Sequence, residues 1–187
     1  MRIISGKYKG KRLQAPKKLP VRPTTDMAKE GLFNILNHHY AFSEVTLLDL
    51  FAGTGNISYE FASRGTEHIT AVDAHYGCVG YIKSIAKELD FSIDTIKSDV
   101  YNYLEKVKRT SDIIFADPPY DFTVEEFAKI PALVFENELL NDDGVLIIEH
   151  SKHTSLEDLP NFRNSRKYGG SVFSFFENAS VEDDNQD

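Results

Sequence analysis

The chain has almost no cysteine: Cys78 is the only one in 187 residues. A single thiol excludes an intrachain disulfide and points to a reducing cytoplasm. No apolar run approaches the ~20 residues that a membrane-spanning helix needs. The opening residues, Met1 to Gly6, lack the apolar stretch of a secretory signal. A third absence is local. The first 25 residues contain no Asp or Glu, yet they hold Arg2, Lys7, Lys9, Lys11, Arg12, Lys17, Lys18 and Arg22.

That local absence reverses what the total charge suggests. A net charge of −8 argues against a nucleic-acid partner. With eight bases and no acid before Asp26, however, the rest of the chain stands at −16. A basic arm on an acidic body is what local phosphate binding would produce. A solvated tail is the simpler alternative. The arm's bases are interleaved with Ile3, Ile4, Tyr8 and Leu13, and Lys9-Gly10-Lys11 offers a turn between two short extended runs. A folded β-hairpin over residues 1–23 is therefore expected.

After the arm, strands and helices alternate. Thr24 or Thr25 can cap a helix from Asp26 to about His39, whose Leu32, Phe33, Leu36 and Tyr40 recur at helical spacing. Strands are expected at 45–50, 68–72, 93–97, 111–116 and 144–149, with helices between them. An antiparallel pair is expected at 162–167 and 172–176. This pattern predicts one α/β domain over residues 24–177, a doubly wound sheet with antiparallel strands at one edge. Residues 178–187, with Glu182, Asp183, Asp184 and Asp187, read as an acidic, disordered tail.

Ligands of such sheets bind beyond the carboxyl ends of the strands. Four acids stand there: Asp49, Asp73, Asp99 and Asp117. Like charges on one rim repel, and a cationic, hydroxyl-rich ligand would relieve them. S-adenosylmethionine, with its sulfonium, amino group and ribose diol, is such a ligand. Ala52, Gly53 and Gly55 would let the backbone turn and approach it. Asp73, 20 residues after Gly53, stands where an acid accepts from ribose hydroxyls. Asp99 would meet the adenine amino group, and Asp49 the glycine loop or the ligand's ammonium. A dinucleotide is the rival, but Ser58 replaces the third glycine that a pyrophosphate site uses.

Asp117-Pro118-Pro119-Tyr120 follows an apolar strand directly. Two prolines fix φ and remove two backbone donors, leaving bare carbonyls on a rigid segment. Asp117 Oδ and the Pro118 carbonyl can accept the two N–H bonds of an exocyclic base amine and aim its lone pair at a methyl group. Tyr120 can stack on the base. The alternative is a strand that ends at a Pro-Pro turn.

Asp49-Leu-Phe-Ala-Gly-Thr-Gly55 with Asp117-Pro-Pro-Tyr120 resembles the amino-methyltransferase pattern of the class I S-adenosylmethionine fold. Arg2 to Leu13, Arg22-Pro-Thr-Thr-Asp26 and Lys29-Glu-Gly-Leu-Phe-Asn34 resemble the RsmD family, which methylates guanine N2 in small-subunit (16S) ribosomal RNA. The resemblance covers residues 1 to about 177. It implies a seven-stranded Rossmann-like sheet, an N-terminal β-hairpin that engages RNA, and a position near cofactor or base for Arg22 to Thr25. It also implies an assembling small subunit as substrate. A monomer without a metal is expected. The arm bases Arg2, Lys7, Lys9, Lys11, Arg12 and Arg22 become the candidate RNA contacts. Asn56-Ile-Ser58 departs from the family's small residues and glycine, Asp73 from its frequent glutamate, and Lys29 from its frequent arginine. A DNA adenine-N6 methyltransferase would use the same four chemical residues, but this chain has no second domain for reading DNA. A non-catalytic ribosome-assembly module would not need the Asp117–Tyr120 segment. His38 and His39 diverge too far on a helix to chelate a metal, and His150 and His153 read as solvated loop residues.

Overall fold

The computed structural model describes residues 1–20 and 24–179. Arg22 and the acidic run from Glu182 onward lie outside the described residues. Seven strands, β1 (Thr46–Leu50), β2 (His68–Asp73), β3 (Ile93–Lys97), β4 (Ser111–Ala116), β5 (Leu140–Ser151), β6 (Phe162–Tyr168) and β7 (Ser171–Glu177), form one sheet in the order β3-β2-β1-β4-β5-β7-β6. The first five are parallel, and β7 runs antiparallel to both β5 and β6. The sheet begins at β1 and grows to β2 and β3, then returns to β4 on the other side of β1. That reversal opens a crevice beyond the carboxyl ends of β1 and β4.

Strand side chains alternate between two apolar faces. Leu47, Ile69, Ile113, Phe115 and Ile147 pack against α1 (Asp26–His39) and α2 (Asn56–Ser63). Leu48, Leu50, Ile114, Ala116 and Ile148 pack against α4 (Val100–Lys106) and α5 (Val124–Glu136). α1 presents Ala28, Leu32, Phe33 and Leu36 at helical spacing. A capping box starts α5, where Thr123 and Glu126 each satisfy the other's backbone N–H. α3 (Tyr76–Leu89) joins α2 in a third cluster with the arm, through Ile82, Ile85, Leu89, Tyr59, Ile3 and Leu13.

The arm is a hairpin of minimal pairing. One antiparallel bridge joins Arg2 to Arg12, flanked by bonds from Ile3 N to Lys11 O and from Leu13 N to Met1 O. The reversal is wider than Lys9-Gly10-Lys11 and occupies residues 5–10, with Gly6 and Gly10 both in the left-handed region. Extended pairing stops there because those residues bond to α2 instead. Ile4 N and Ser5 N donate to the Glu60 carboxylate, Lys7 N to the Ser63 carbonyl, and Tyr8 N to Ser63 Oγ. Glu60 is fully buried and also meets the buried Lys29 ammonium at 3.1 Å and Arg64 at 3.0 Å. Lys29 Nζ donates in addition to the Arg2 carbonyl and to Asn56 Oδ1. A lysine so enclosed finds three oxygens, which repays part of its desolvation.

β5 extends two residues beyond the expected Glu149, because β7 pairs with it as far as Ser151. His150 is consequently a buried strand residue and not a solvated loop histidine. Its ring bonds to Ser174 Oγ at 2.8 Å and to the Ser151 carbonyl at 3.0 Å, and burial lowers its pKa.

Candidate active site

The crevice beyond β1 and β4 is a cavity of about 500 Å³. Its floor is the loop after β1. Phe51 turns the chain in the left-handed region (φ 55°), its ring held edge-on against Phe122, and Gly53 and Gly55 continue the turn with φ of 56° and 80°. A non-glycine residue in this conformation stores strain, as functional loops commonly do. Gly55 then leads into α2. A Cβ there would stand 2.7 Å from the Tyr59 ring, so glycine is required by contact as well as by φ.

Asp73, at the end of β2, fastens this loop. Its Oδ2 accepts from Gly53 N and its Oδ1 from His75 N, each at 2.8 Å. Each oxygen keeps a further lone-pair direction for a ligand hydroxyl. Asp99 caps α4 by accepting from Asn102 N and also lines the cavity. Ala52, Thr24 and Cys78 line it too. Thr25 does not: it caps α1, accepting from Ala28 N. Its neighbour Thr24 turns inward and donates its hydroxyl to Glu149 at 2.7 Å.

Asp49 is buried in β1, where Ser58 donates its hydroxyl at 2.6 Å. Burial raises its pKa from 3.8 to about 7, with Asp73's charge adding to the rise and both Ser58 bonds opposing it. The folded state thus holds a proton that the unfolded chain releases near pH 4. This contribution to stability is complete below pH 4 and is lost as pH rises to about 7. Three units correspond to roughly 4 kcal/mol. Asp49→Asn should therefore leave stability unchanged near pH 4 and raise it by about 2–4 kcal/mol at pH 8. Urea unfolding at the two pH values measures this; equal differences at both would exclude a perturbed Asp49.

The Asp117–Tyr120 segment forms the opposite wall. Asp117 N donates to the Leu50 carbonyl, tying the segment to the end of β1. Pro118 is buried, whereas Pro119 and Tyr120 are exposed. Burial, then the charges of Glu149 and Asp49, hold the Asp117 carboxyl well above the usual carboxylate range. The Tyr120 hydroxyl is 3.5 Å from Glu149 and 3.3 Å from Ser171 Oγ, which fixes its ring at the cavity mouth. Glu149 was not foreseen as a site residue, and the run Val145 to Glu149 reads only as a buried strand. Its signal was positional: an acid at the end of the strand beside the one that ends at Asp117.

Every acidic residue that lines the described cavity is an aspartate, and no lysine or arginine lines it among the described residues. Such a wall repels a pyrophosphate and suits a sulfonium, an ammonium and a diol. The strand order and crevice match the class I S-adenosylmethionine-dependent methyltransferases. Residues 1–177 match the family described as Conserved hypothetical protein 95. The chain belongs to this family, the RsmD family.

Relatives include YlbH of Bacillus subtilis, 34% identical over 163 residues, covering 84% of this chain and 86% of that protein. The ribosomal RNA small subunit methyltransferase D of Haemophilus influenzae is 31% identical over 168 residues, covering 83% and 81%. Among solved structures, the Thermus thermophilus 16S rRNA N2 G1207 methyltransferase RsmC, in complex with AdoMet and guanosine, superimposes with a TM-score of 0.66. It is 21% identical and covers 85% of this chain and 45% of that one.

The arm's bases are divided by the fold. Lys7 lies beside the carboxyl end of α2, where its N–H meets Ser63, and Lys11 pairs with Glu88 near the carboxyl end of α3. The 14 residues of α3 span about 21 Å. Lys7, Lys9 and Lys11 therefore stand at the end of the molecule away from the cavity. Arg2 lies nearer, paired with Asp26 at the start of α1, next to its hairpin partner Arg12. No helix of the described residues is long and apolar enough to cross a membrane, and no described cluster of His, Cys, Asp and Glu could hold a metal.

Proposed function

We propose that this chain transfers a methyl group from S-adenosylmethionine to the exocyclic N2 amino group of a guanine in small-subunit ribosomal RNA. The proposed setting is a monomer acting in the cytoplasm on an assembling subunit. The observation that carries the reading is the half-buried Asp117 beside the buried Pro118, facing an all-aspartate cofactor wall. The choice of guanine draws on family membership and on the guanosine held by the RsmC neighbour.

Bound S-adenosylmethionine supplies an electrophilic methyl group on positively charged sulfur. Gly53, Gly55 and Ala52 would let backbone approach it, Asp73 would accept from its ribose, Asp99 would meet the adenine amino group, and Asp49 would support the glycine loop. Asp117 and the Pro118 carbonyl accept the two N–H bonds of the target amine, which turns its lone pair toward the methyl. Pro119 stiffens the segment, and Tyr120 holds the base plane. Such positioning would supply most of the acceleration. The proton leaves easily once nitrogen carries the methyl, so no strong base is needed. Arg2, Lys7, Lys9, Lys11, Arg12 and Arg22 take phosphates. The exposed pairs of Arg2 with Asp26 and Lys11 with Glu88 are weak enough to exchange for them.

Mass spectrometry of nucleosides from small-subunit particles incubated with protein and methyl-labelled cofactor tests the reading. N2-methylguanosine is expected; label on another atom, or none, would overturn it. By calorimetry, Asp73→Ala should weaken cofactor binding by about ten- to a hundredfold, the effect of losing a bond of ~1.5–3 kcal/mol to a charged group. Unchanged affinity would remove its proposed role.

A further inference from the structure

We infer that the chain carries a second RNA-binding surface, made by Lys152, His153 and Lys167 around the β6–β7 turn, on the opposite flank of the cavity from the arm. The inference rests on the RNA reading above and extends it to residues that reading does not use.

The arm packs on α2 and α3, over the β1–β2 half of the sheet. The β6–β7 turn closes the other half. Ser171 pairs with Ser151, and Lys152 N donates to the Gly170 carbonyl at 3.1 Å, so the loop after β5 and the turn form one ridge. The ridge sits one contact from the chemistry, because Ser171 Oγ is 3.3 Å from the Tyr120 hydroxyl. Lys167 and Lys152 flank it, separated laterally by about two strand spacings, ~10 Å.

A solvated charged face is the plain alternative, and two observations weigh against it. Lys152, His153 and Lys167 are exposed, and none has an acid within ion-pair distance among the described residues, although the chain holds 29 acids to 21 lysines and arginines. Glu157 and Asp158 follow a few residues later and pair with neither lysine. Between the lysines the ridge is bare backbone. A Cβ at Gly170 would meet nothing, and one at Gly169 only the Met27 methyl, so a sugar-phosphate chain can approach closely.

The exposed apolar side chains point the same way. Among the described residues the four large ones, Met27, Tyr76, Tyr120 and Val124, stand at the starts of α1, α3 and α5 or beyond β4, all near the carboxyl ends of the strands. Tyr76, next to the cavity-lining His75, is 79% exposed. Cations that bracket exposed rings suit a single strand, whose bases stack while its phosphates are neutralised. The substrate therefore crosses the cavity mouth from the arm to the β6–β7 ridge.

The test is binding of purified small-subunit ribosomal RNA between 50 and 200 mM salt, for the wild type, K152Q/K167Q, K7Q/K9Q and all four changes together. Two lost phosphate contacts should lower the slope of log affinity against log salt by about 1.4. Affinity at 50 mM should fall several-fold in K152Q/K167Q, while S-adenosylmethionine affinity stays unchanged and the quadruple variant multiplies the two losses. An unaltered slope and affinity in K152Q/K167Q, with wild-type protein binding normally, would overturn this inference alone. Loss of cofactor affinity in that variant would do the same, by assigning the effect to the cavity. Wild-type protein that neither binds nor methylates the RNA would overturn the parent reading and this one together.

Discussion

Replacing Asp117 by alanine should lower turnover by about a hundred- to a thousandfold and leave S-adenosylmethionine affinity within about twofold. The size follows from removing one preorganised group aimed at the reacting centre, roughly 3–4 kcal/mol in enzymes that depend on such a group. The cofactor should hardly notice, because its proposed ligands belong to the glycine loop and to the ends of β2 and β3. The pH profile sharpens the test. Burial and the charges of Glu149 and Asp49 raise the Asp117 pKa. As pH falls through that raised value, Asp117 gains a proton, becomes a poorer acceptor, and turnover should fall. Asp117→Asn should lose this acidic limb and keep a reduced, flatter rate. Single-turnover kinetics from pH 5 to 9 checks both variants, and wild-type-like turnover in Asp117→Ala would remove the amine-acceptor mechanism.

Lys29→Ala should destabilise the fold by about 3–5 kcal/mol, the usual consequence of leaving one member of a buried ion pair alone. Lys29 and Glu60 are both fully buried, and burial is the main influence lowering the lysine's pKa, against Glu60's pull. Many buried pairs can be replaced by apolar residues at little cost, but this one should resist. In K29M/E60L the Ile4 and Ser5 N–H groups and the Arg64 guanidinium would lose the acceptor they share. The double variant should remain at least as unstable as Lys29→Ala in urea unfolding. Recovery to wild-type stability would mean that the arm does not depend on Glu60.

The chain's periodicity was enough to place its elements. Strands β1, β2 and β4 begin and end within a residue of their apolar runs, because central strands buried on both faces leave nearly unbroken runs, whereas β3, at the sheet edge, has no buried residue. α4 stops at Lys106, since its last apolar anchor is Leu104. The two glycines and the four strand-end aspartates were equally legible, each standing at a fixed offset from a strand. What escaped were roles assigned by distant partners. Phe51 turns left-handed although nothing in Asp-Leu-Phe-Ala announces it; Phe122, 71 positions away, supplies its packing. Glu149 and Thr24 meet across 125 residues. Lys29 and Asn56 stood out only as departures from a family pattern, yet they bond to each other inside the core.

The arm also has a consequence for how the chain can fold. Its backbone N–H groups find their acceptors at Glu60 and Ser63, and its apolar sockets reach to Leu89. Residues 1–13 have nothing to dock on until α2 and α3 have formed, so the arm is among the last segments to find its place. Contacts this far apart in sequence carry a closure cost that slows folding. Until it docks, the arm leaves the backbone groups that Glu60 and Ser63 satisfy in the folded protein open to other partners.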